Sequence, residues 1–113
     1  MISSRNTRRR YRVEIFLPVV DEIIHRAARA IISEAMAIQF GGCTNFDDLE
    51  GLYRSVTGAI VQDTITLIVT DTPPLTSQNV RKLKAALSGF RQKAAAALRQ
   101  EELLLALTPI EHI

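Results

Sequence analysis

Apolar and polar residues follow two different periods along the first 40 residues of this chain. In the segment YRVEIFL, the odd positions from Tyr11 to Leu17 are all apolar, which predicts a strand with one buried face. From about residue 19 the apolar positions recur instead at intervals of three and four, as on an amphipathic helix of about five turns. Gly41 and Gly42 follow this stretch and are expected to end the helix.

A hairpin is predicted next. The segment GLYRSV, residues 51–56, and the longer segment AIVQDTITLIV, residues 59–69, read as two strands joined by a turn at Thr57-Gly58. In the longer strand Ile65, Leu67 and Val69 alternate with polar neighbours, so we expect them to face the core. The polar stretch TNFDDLE before the hairpin is expected to be a solvated acidic loop.

The last part of the chain predicts a second helix and a final strand. Thr76 or Ser77 is the expected N-cap, and apolar residues then recur at intervals of three and four from Val80 to Leu98. The run LLLAL, residues 103–107, predicts the last strand, with Pro109 at its edge or end.

This order of strand, helix, strand, strand, helix and strand predicts an α+β fold of the ferredoxin-like βαββαβ type, with a four-stranded antiparallel sheet and two helices on one face. We expect residues 11–113 to form this single domain after a flexible basic tail at residues 1–10. The other face of the sheet would mix polar and apolar side chains, so a second copy of the chain is expected to cover it as a homodimer. The residues predicted for that face are Arg12, Glu14, Phe16, Thr64, Thr66, Ile68, Thr70 and Leu104.

Composition supports one globular domain. The chain has 113 residues, of which 47% are hydrophobic and 23% charged, so a disordered chain is not expected. No run reaches the roughly 18 uncharged apolar residues of a membrane-spanning helix. Cys43 is the only cysteine, which excludes an internal disulfide. These features predict a cytoplasmic protein.

Charge is strongly segregated, although the net charge is only +2. Residues 1–12 and residues 77–99 carry eleven bases and no acid, whereas the acids lie between and after these segments. This pattern favours self-association or a charged partner. Nucleic acid is a weaker alternative partner, because the third strand lacks the stacking aromatic residues of RNA-binding domains with this topology. The arginines that would contact it are Arg5, Arg8, Arg9 and Arg10.

No residue pattern predicts a metal, a cofactor or a catalytic residue. The two glycines close a helix rather than open one, unlike phosphate-binding loops. The acidic stretch does not follow the calcium-loop spacing, and the histidines and the cysteine lack the paired spacing of zinc ligands. His25 falls on the polar side of the first helix and is expected at the surface. The residues considered for these roles are the two histidines, the cysteine and the acids of the stretch TNFDDLE, namely His25, His112, Cys43, Asp47, Asp48 and Glu50.

Polar side chains on the predicted strands could converge on the open side of the sheet and bind a polar ligand, although ordinary cross-strand pairs are the alternative. The candidate ligand-binding residues are Arg12, Glu14, Thr44, Tyr53, Asp63 and Thr66. Of these, Thr44 and Tyr53 are expected at the seam between the first helix and the sheet. We therefore expect a small binding or regulatory module rather than an enzyme. The alternative is a small cofactor-independent enzyme of the dimeric α+β barrel type.

Three segments of the chain resemble a pattern found in small bacterial and phage proteins. FGGCT matches Phe-Gly-Gly-x-Thr after the first helix, GLY matches Gly-x-Trp/Tyr in the next strand, and QEE matches Gln-Glu before the last strand. The resemblance implies a ferredoxin-like fold and no established activity. The layout is also similar to that of PII-type nitrogen signal proteins. Those proteins have a long loop between the second and third strands, where this chain has only RSVTGA, so their function is not transferred. The matching residues are Phe40, Gly41, Gly42, Thr44, Gly51, Tyr53, Gln100 and Glu101.

Overall fold

The computed structural model describes residues 7–99 and 103–113, and its elements follow the predicted order. The four strands form one antiparallel sheet in the order β2-β3-β1-β4. The predicted α+β class is confirmed, and this arrangement is consistent with a ferredoxin-like fold. The elements are β1 (Arg10–Pro18), α1 (Glu22–Phe40), β2 (Thr44–Arg54), β3 (Ile60–Asp71), α2 (Ser77–Ala97) and β4 (Leu104–Ile110).

Helix ends and the hairpin turn lie where local sequence signals predict them. The carboxylate of Asp21 caps α1 by accepting hydrogen bonds from two first-turn N–H groups, at 2.9 and 3.0 Å. Gly41 ends the helix in the left-handed conformation, with φ of 89°. Thr76 is the N-cap of α2, and Gly58 takes a φ of 87° in the turn between β2 and β3. The predicted helix end at Gly41, the predicted N-cap at Thr76 and the predicted turn are confirmed, whereas the cap at Asp21 was not predicted.

The register between β1 and β3 shows that the side chains of the third strand face the opposite sides of the sheet from those predicted. Ile15 lies directly opposite Ile68, and both are buried in the core that the strands form with the helices. Because side chains alternate along a strand, Ile65, Leu67 and Val69 point to the side of the sheet away from the helices. The prediction that these three residues face the core is therefore wrong.

Hydrogen bonds explain why threonines lie on the helix side instead. Thr66, Thr70 and Thr72 expose 5% or less of their surface. The hydroxyl of Thr66 donates to Asp47 at 3.0 Å, and that of Thr70 donates to the carbonyl of Gly42. Thr72 accepts from one backbone N–H at 3.1 Å and donates to a backbone carbonyl at 2.8 Å. A buried hydroxyl with a partner costs little, so polarity alone does not place a threonine at the surface.

The second strand begins earlier than the sequence predicts. β2 starts at Thr44, so Asp47, Asp48 and Glu50 are strand residues, and the predicted acidic loop is wrong. At the other end of the chain, β4 passes through Pro109 and ends at Ile110. β2 and β4 are the two edge strands of the sheet.

The hairpin of β2 and β3 extends beyond the rest of the sheet. The pairing of β1 with β3 stops at Ile65, and the Thr64 carbonyl accepts one more hydrogen bond from the backbone N–H of Val19 at 2.9 Å, so residues 60–63 of β3 pair only with β2. We call residues 50–64 the hairpin arm. Leu52, Val56 and Ile60 in this arm are each at least 66% exposed. The molecule is accordingly elongated, with principal extents of 54 × 31 × 28 Å.

The N-terminal boundary of the described fold lies slightly before the predicted one. Arg9 exchanges two backbone hydrogen bonds with Leu75, at 3.0 and 2.9 Å, and Arg10 is the first residue of β1. The predicted tail therefore reaches at most to residue 8. Its residues 1–6, including Arg5, and the motif residues Gln100 and Glu101 lie outside the described residues. Neither α1 nor α2 is long and apolar enough to cross a membrane.

Candidate functional site

The side of the sheet away from the helices is the candidate functional surface, and we call it the open face. Every strand contributes alternate residues to it, as the pairing registers show. Most of these side chains are apolar, and Phe46 and Leu104 expose 48% and 52% of their surface. The apolar side chains of the open face include Phe16, Phe46, Leu49, Tyr53, Val61, Ile65, Leu67, Val69 and Leu104.

An ionic cluster closes one end of the open face. The guanidinium of Arg12 donates to both carboxylate oxygens of Asp71, at 2.8 and 3.1 Å. The Nε2 atom of His112 lies 3.2 Å from the same carboxylate. The hydrogen bond from Arg12 is the main cause that lowers the pKa of Asp71, and the Asp71 carboxylate in turn raises the pKa of Arg12. Arg12 is thus held in place by Asp71.

Two other predicted ligand-binding residues share one row of the sheet. Glu14 of β1 and Thr44 of β2 both lie opposite Val69 of β3. Because neighbouring strands are about 4.8 Å apart, Glu14 and Thr44 are separated by about 10 Å with an apolar residue between them. One small ligand would have to span Val69 to contact both.

The remaining three predicted residues lie elsewhere. Asp63 and Tyr53 belong to the hairpin arm, and Asp63 is six residues, or about 20 Å, from the row of Val69. Thr66 is buried on the helix side of the sheet. The five residues predicted to converge on the open face, Arg12, Glu14, Tyr53, Asp63 and Thr66, therefore do not meet at one site, and that part of the prediction is wrong. Thr44 and Tyr53 lie at opposite ends of β2, so the prediction that both occupy one helix-to-sheet seam is wrong as well.

Tyr53 has a packing role in the arm. A Cβ atom added to Gly51 would lie 2.6 Å from Cε2 of Tyr53 and 2.8 Å from Cδ1 of Ile65. The tyrosine ring and the isoleucine side chain therefore cover the bare backbone of this glycine. An aromatic ring over a strand glycine restores apolar packing that the glycine lacks.

A β-bulge in β2 brings an acidic residue to the helix side of the sheet. The regular pairing ends at Phe46 and resumes at Leu49, so Asp47 and Asp48 together oppose Thr66 alone. Asp48 takes a left-handed φ of 58°. The extra residue keeps Phe46 and Leu49 on the open face and leaves Asp47 directed at Thr66.

Asp47 is the centre of a hydrogen-bond network that sequence analysis missed. Its two carboxylate oxygens accept from Arg29 of α1 at 2.8 and 2.6 Å, and one of them also accepts from Thr66. The hydrogen bond from Arg29 is the main cause that lowers the pKa of Asp47. Thr66 also lies 2.9 Å from Nε2 of His25. Because the Thr66 proton goes to Asp47, the Nε2 atom of His25 must donate to Thr66.

This network connects α1 to the sheet. His25 is half-buried, so the prediction of a surface histidine is wrong. Thr66 is completely buried, and its hydroxyl cannot reach a substrate. No pattern along the chain could have identified the pair of Arg29 and Asp47, because 18 residues separate them and the bulge directs the carboxylate.

Metal-ligating and nucleophilic residues are scattered. Among residues 7–99 and 103–113, no three side chains of His, Cys, Asp or Glu lie close enough together to hold a metal ion. Cys43 is half-buried, and its Sγ lies 3.5 Å from the carbonyl oxygen of Ser33.

The arginines near the N-terminus line a wide basic groove of about 750 Å³. Arg8, Arg9 and Arg10 form one side of it, and Pro109 to His112 form part of the other. Glu111 in the same lining reduces the positive charge. Nucleic-acid binding through these arginines stays a prediction.

Comparison of the sequence with models of known protein families and with curated proteins gives no match. The functional argument therefore depends on the geometry of the open face and of the helix layer.

Proposed function

We propose that this chain is a small binding or regulatory module of ferredoxin-like fold that acts as a homodimer, in which the open faces of two copies pack against each other. The observation that supports the proposal is the apolar composition of the open face across all four strands. Phe16, Leu67 and Leu104 lie side by side in one row, and Phe46 adds a further aromatic ring beyond Leu67 on β2. A sheet face of this kind is unusual at the surface of a monomer.

A twofold arrangement of two copies is sufficient to cover the open face, because the same apolar face then meets itself.

The enzyme alternative lacks such support. The residues that were candidates for proton transfer or ligand binding, Glu14, Tyr53 and Asp63, lie in different parts of the open face and of the hairpin arm. A catalytic site would need them within hydrogen-bond reach of one substrate.

Sedimentation velocity on the wild type and on two variants tests the proposal. Phe46→Asp places a charge on the open face, and Ile38→Asp makes the same kind of change on α1 at a residue that is 78% exposed and not part of the open face. We expect the wild type and Ile38→Asp to sediment as dimers at micromolar concentration and Phe46→Asp to sediment as a monomer. A monomeric wild type at 100 µM, or equal behaviour of the two variants, would overturn the proposal.

The expected size of the effect follows from the exposed area of Phe46. About half of a side chain of roughly 200 Å² is exposed, which corresponds to about 2.4 kcal/mol per copy if the interface buries it. A symmetric dimer contains the residue twice, so the upper limit is about 5 kcal/mol. The loss of side-chain freedom on association reduces this value. We therefore expect the dimer dissociation constant Kd of Phe46→Asp to be at least about 100-fold higher than that of the wild type.

A further inference from the structure

An apolar groove runs between the two helices, on the side of the sheet opposite the open face. Its volume is about 560 Å³. This volume lies within the range of about 300 to 1,000 Å³ that is usual for small-molecule sites. Side chains from both helices form its apolar walls, chiefly Ile32, Met36, Phe40, Leu83, Leu87 and Phe90.

The groove reaches the core of the domain. Ile32 and Met36 line it and are buried members of the main hydrophobic cluster, and Phe40, Leu87 and Phe90 pack against that cluster. The floor of the groove is thus made of residues that also hold α1 on the sheet. A ligand that fills the groove would extend the core between the helices.

Polar side chains are gathered at one end of the groove. β1 and β3 are antiparallel and each is followed by a helix that runs back along the sheet, so the end of α1 lies beside the start of α2. Gln39 is in the last turn of α1, whereas Asn79 and Lys82 are in the first two turns of α2. These are the polar members of the lining, which contains no acid. Lys82 therefore makes this end positive, and the partial charge of the α2 N-terminus has the same sign.

We propose that the groove binds an amphipathic carboxylate, with its alkyl chain between the helices and its carboxylate at Lys82, Asn79 and Gln39. The single positive charge of Lys82 matches a monoanionic head group, and the two amides can donate hydrogen bonds to its oxygens. At roughly 30 Å³ for each small group, the groove of about 560 Å³ holds at most about 19 heavy atoms. A saturated fatty acid of about 12 carbons, with about 14 heavy atoms, fits within this limit.

This inference rests on the proposed role as a binding module, but not on the dimer. The groove and the open face lie on opposite sides of the sheet. Phe46→Asp, which is expected to abolish dimerisation, should therefore leave ligand binding unchanged. The two proposals can fail separately.

Isothermal titration calorimetry with dodecanoate, below its micellar concentration, tests the inference. We expect one dodecanoate per chain, and at least tenfold weaker binding in Lys82→Ala. Lys84→Ala is the matched control, because Lys84 is on α2 but does not line the groove. Ala86→Phe, which adds a ring to an exposed groove residue, should also weaken binding at least tenfold.

The position of the ligand is tested by NMR. We expect the Met36 methyl resonance to shift on addition of dodecanoate and not on addition of acetate, which has the same head group without the chain. Dodecanol should bind at least tenfold more weakly than dodecanoate. No binding to the wild type, or binding that survives both Lys82→Ala and Ala86→Phe, would overturn the inference. The second result would show that the alkyl chain binds elsewhere, for example on the open face.

Discussion

The β-bulge of β2 allows a prediction in which one kind of substitution has opposite effects at two nearby positions. Asp48 has a φ of 58°, whereas Glu50, two residues later, lies in the regular ladder opposite Thr64. Left-handed backbone costs an L-residue about 1 to 2 kcal/mol, although aspartate tolerates it better than most. Glycine has no such cost. We therefore expect Asp48→Gly to stabilise the fold and Glu50→Gly to destabilise it.

The magnitudes follow from two opposing effects. A glycine makes the unfolded chain more flexible. This lowers the free energy of unfolding by about 0.5 to 1 kcal/mol at any ordered position. At Asp48 the relief of left-handed strain exceeds this cost, and a net gain of about 0.5 kcal/mol is expected. At Glu50 there is no strain to relieve, so Glu50→Gly should lower the free energy of unfolding by about 0.5 to 1 kcal/mol. Asp48→Val, with a branched Cβ in the left-handed region, should lose about 1 to 2 kcal/mol.

Urea denaturation at one fixed protein concentration measures these differences, because self-association also contributes to apparent stability. With a slope of about 2 kcal/mol per M, a change of 0.5 kcal/mol moves the midpoint by about 0.25 M. Equal destabilisation by the two glycine variants would refute the reasoning. It would show that Asp48 is not left-handed in solution, and that the bulge does not direct Asp47 to the helix side.

Two further predictions concern the carboxylate network and the hairpin arm. Arg29 lowers the pKa of Asp47 below its ordinary value of 3.8, so the stabilisation from this carboxylate is complete above that pH and is lost as the pH falls through the lowered pKa. The stability gap between wild type and Asp47→Asn, measured by denaturation from pH 7 to pH 2, should therefore shrink below pH 3.8, and a constant gap would contradict this. Gly51→Ala should destabilise the fold by about 1 kcal/mol at most, because the new Cβ meets the ring edge of Tyr53 and the terminal Cδ1 of Ile65 at 2.6 and 2.8 Å, and these side-chain ends can shift. The cost should fall when Tyr53→Ala is also present, whereas strictly additive effects in thermal unfolding would argue against this packing.

Local signals were sufficient to predict the elements and several of their ends. Thr76 at a helix start, Gly41 at a helix end and Gly58 in the hairpin turn each act through their own side chain or backbone freedom. Such effects depend on a few neighbouring residues only, so they can be read from the sequence. The expected site could not be predicted in this way, because convergence of Glu14 with residues such as Thr66 depends on which strands pair and in which register.

The amino-acid sequence by itself determined the α+β class and the order of the elements. Tertiary structure decided which residues of β3 form the open face. A period of two assigns residues 65, 67 and 69 to one side and Thr66 and Ile68 to the other, but the alternation is the same for both orientations. The choice depends on partners far along the chain: Ile15 packs opposite Ile68, and Asp47 and His25 hydrogen-bond the Thr66 hydroxyl. These contacts stabilise a threonine-bearing side towards the helices and leave the more apolar side exposed.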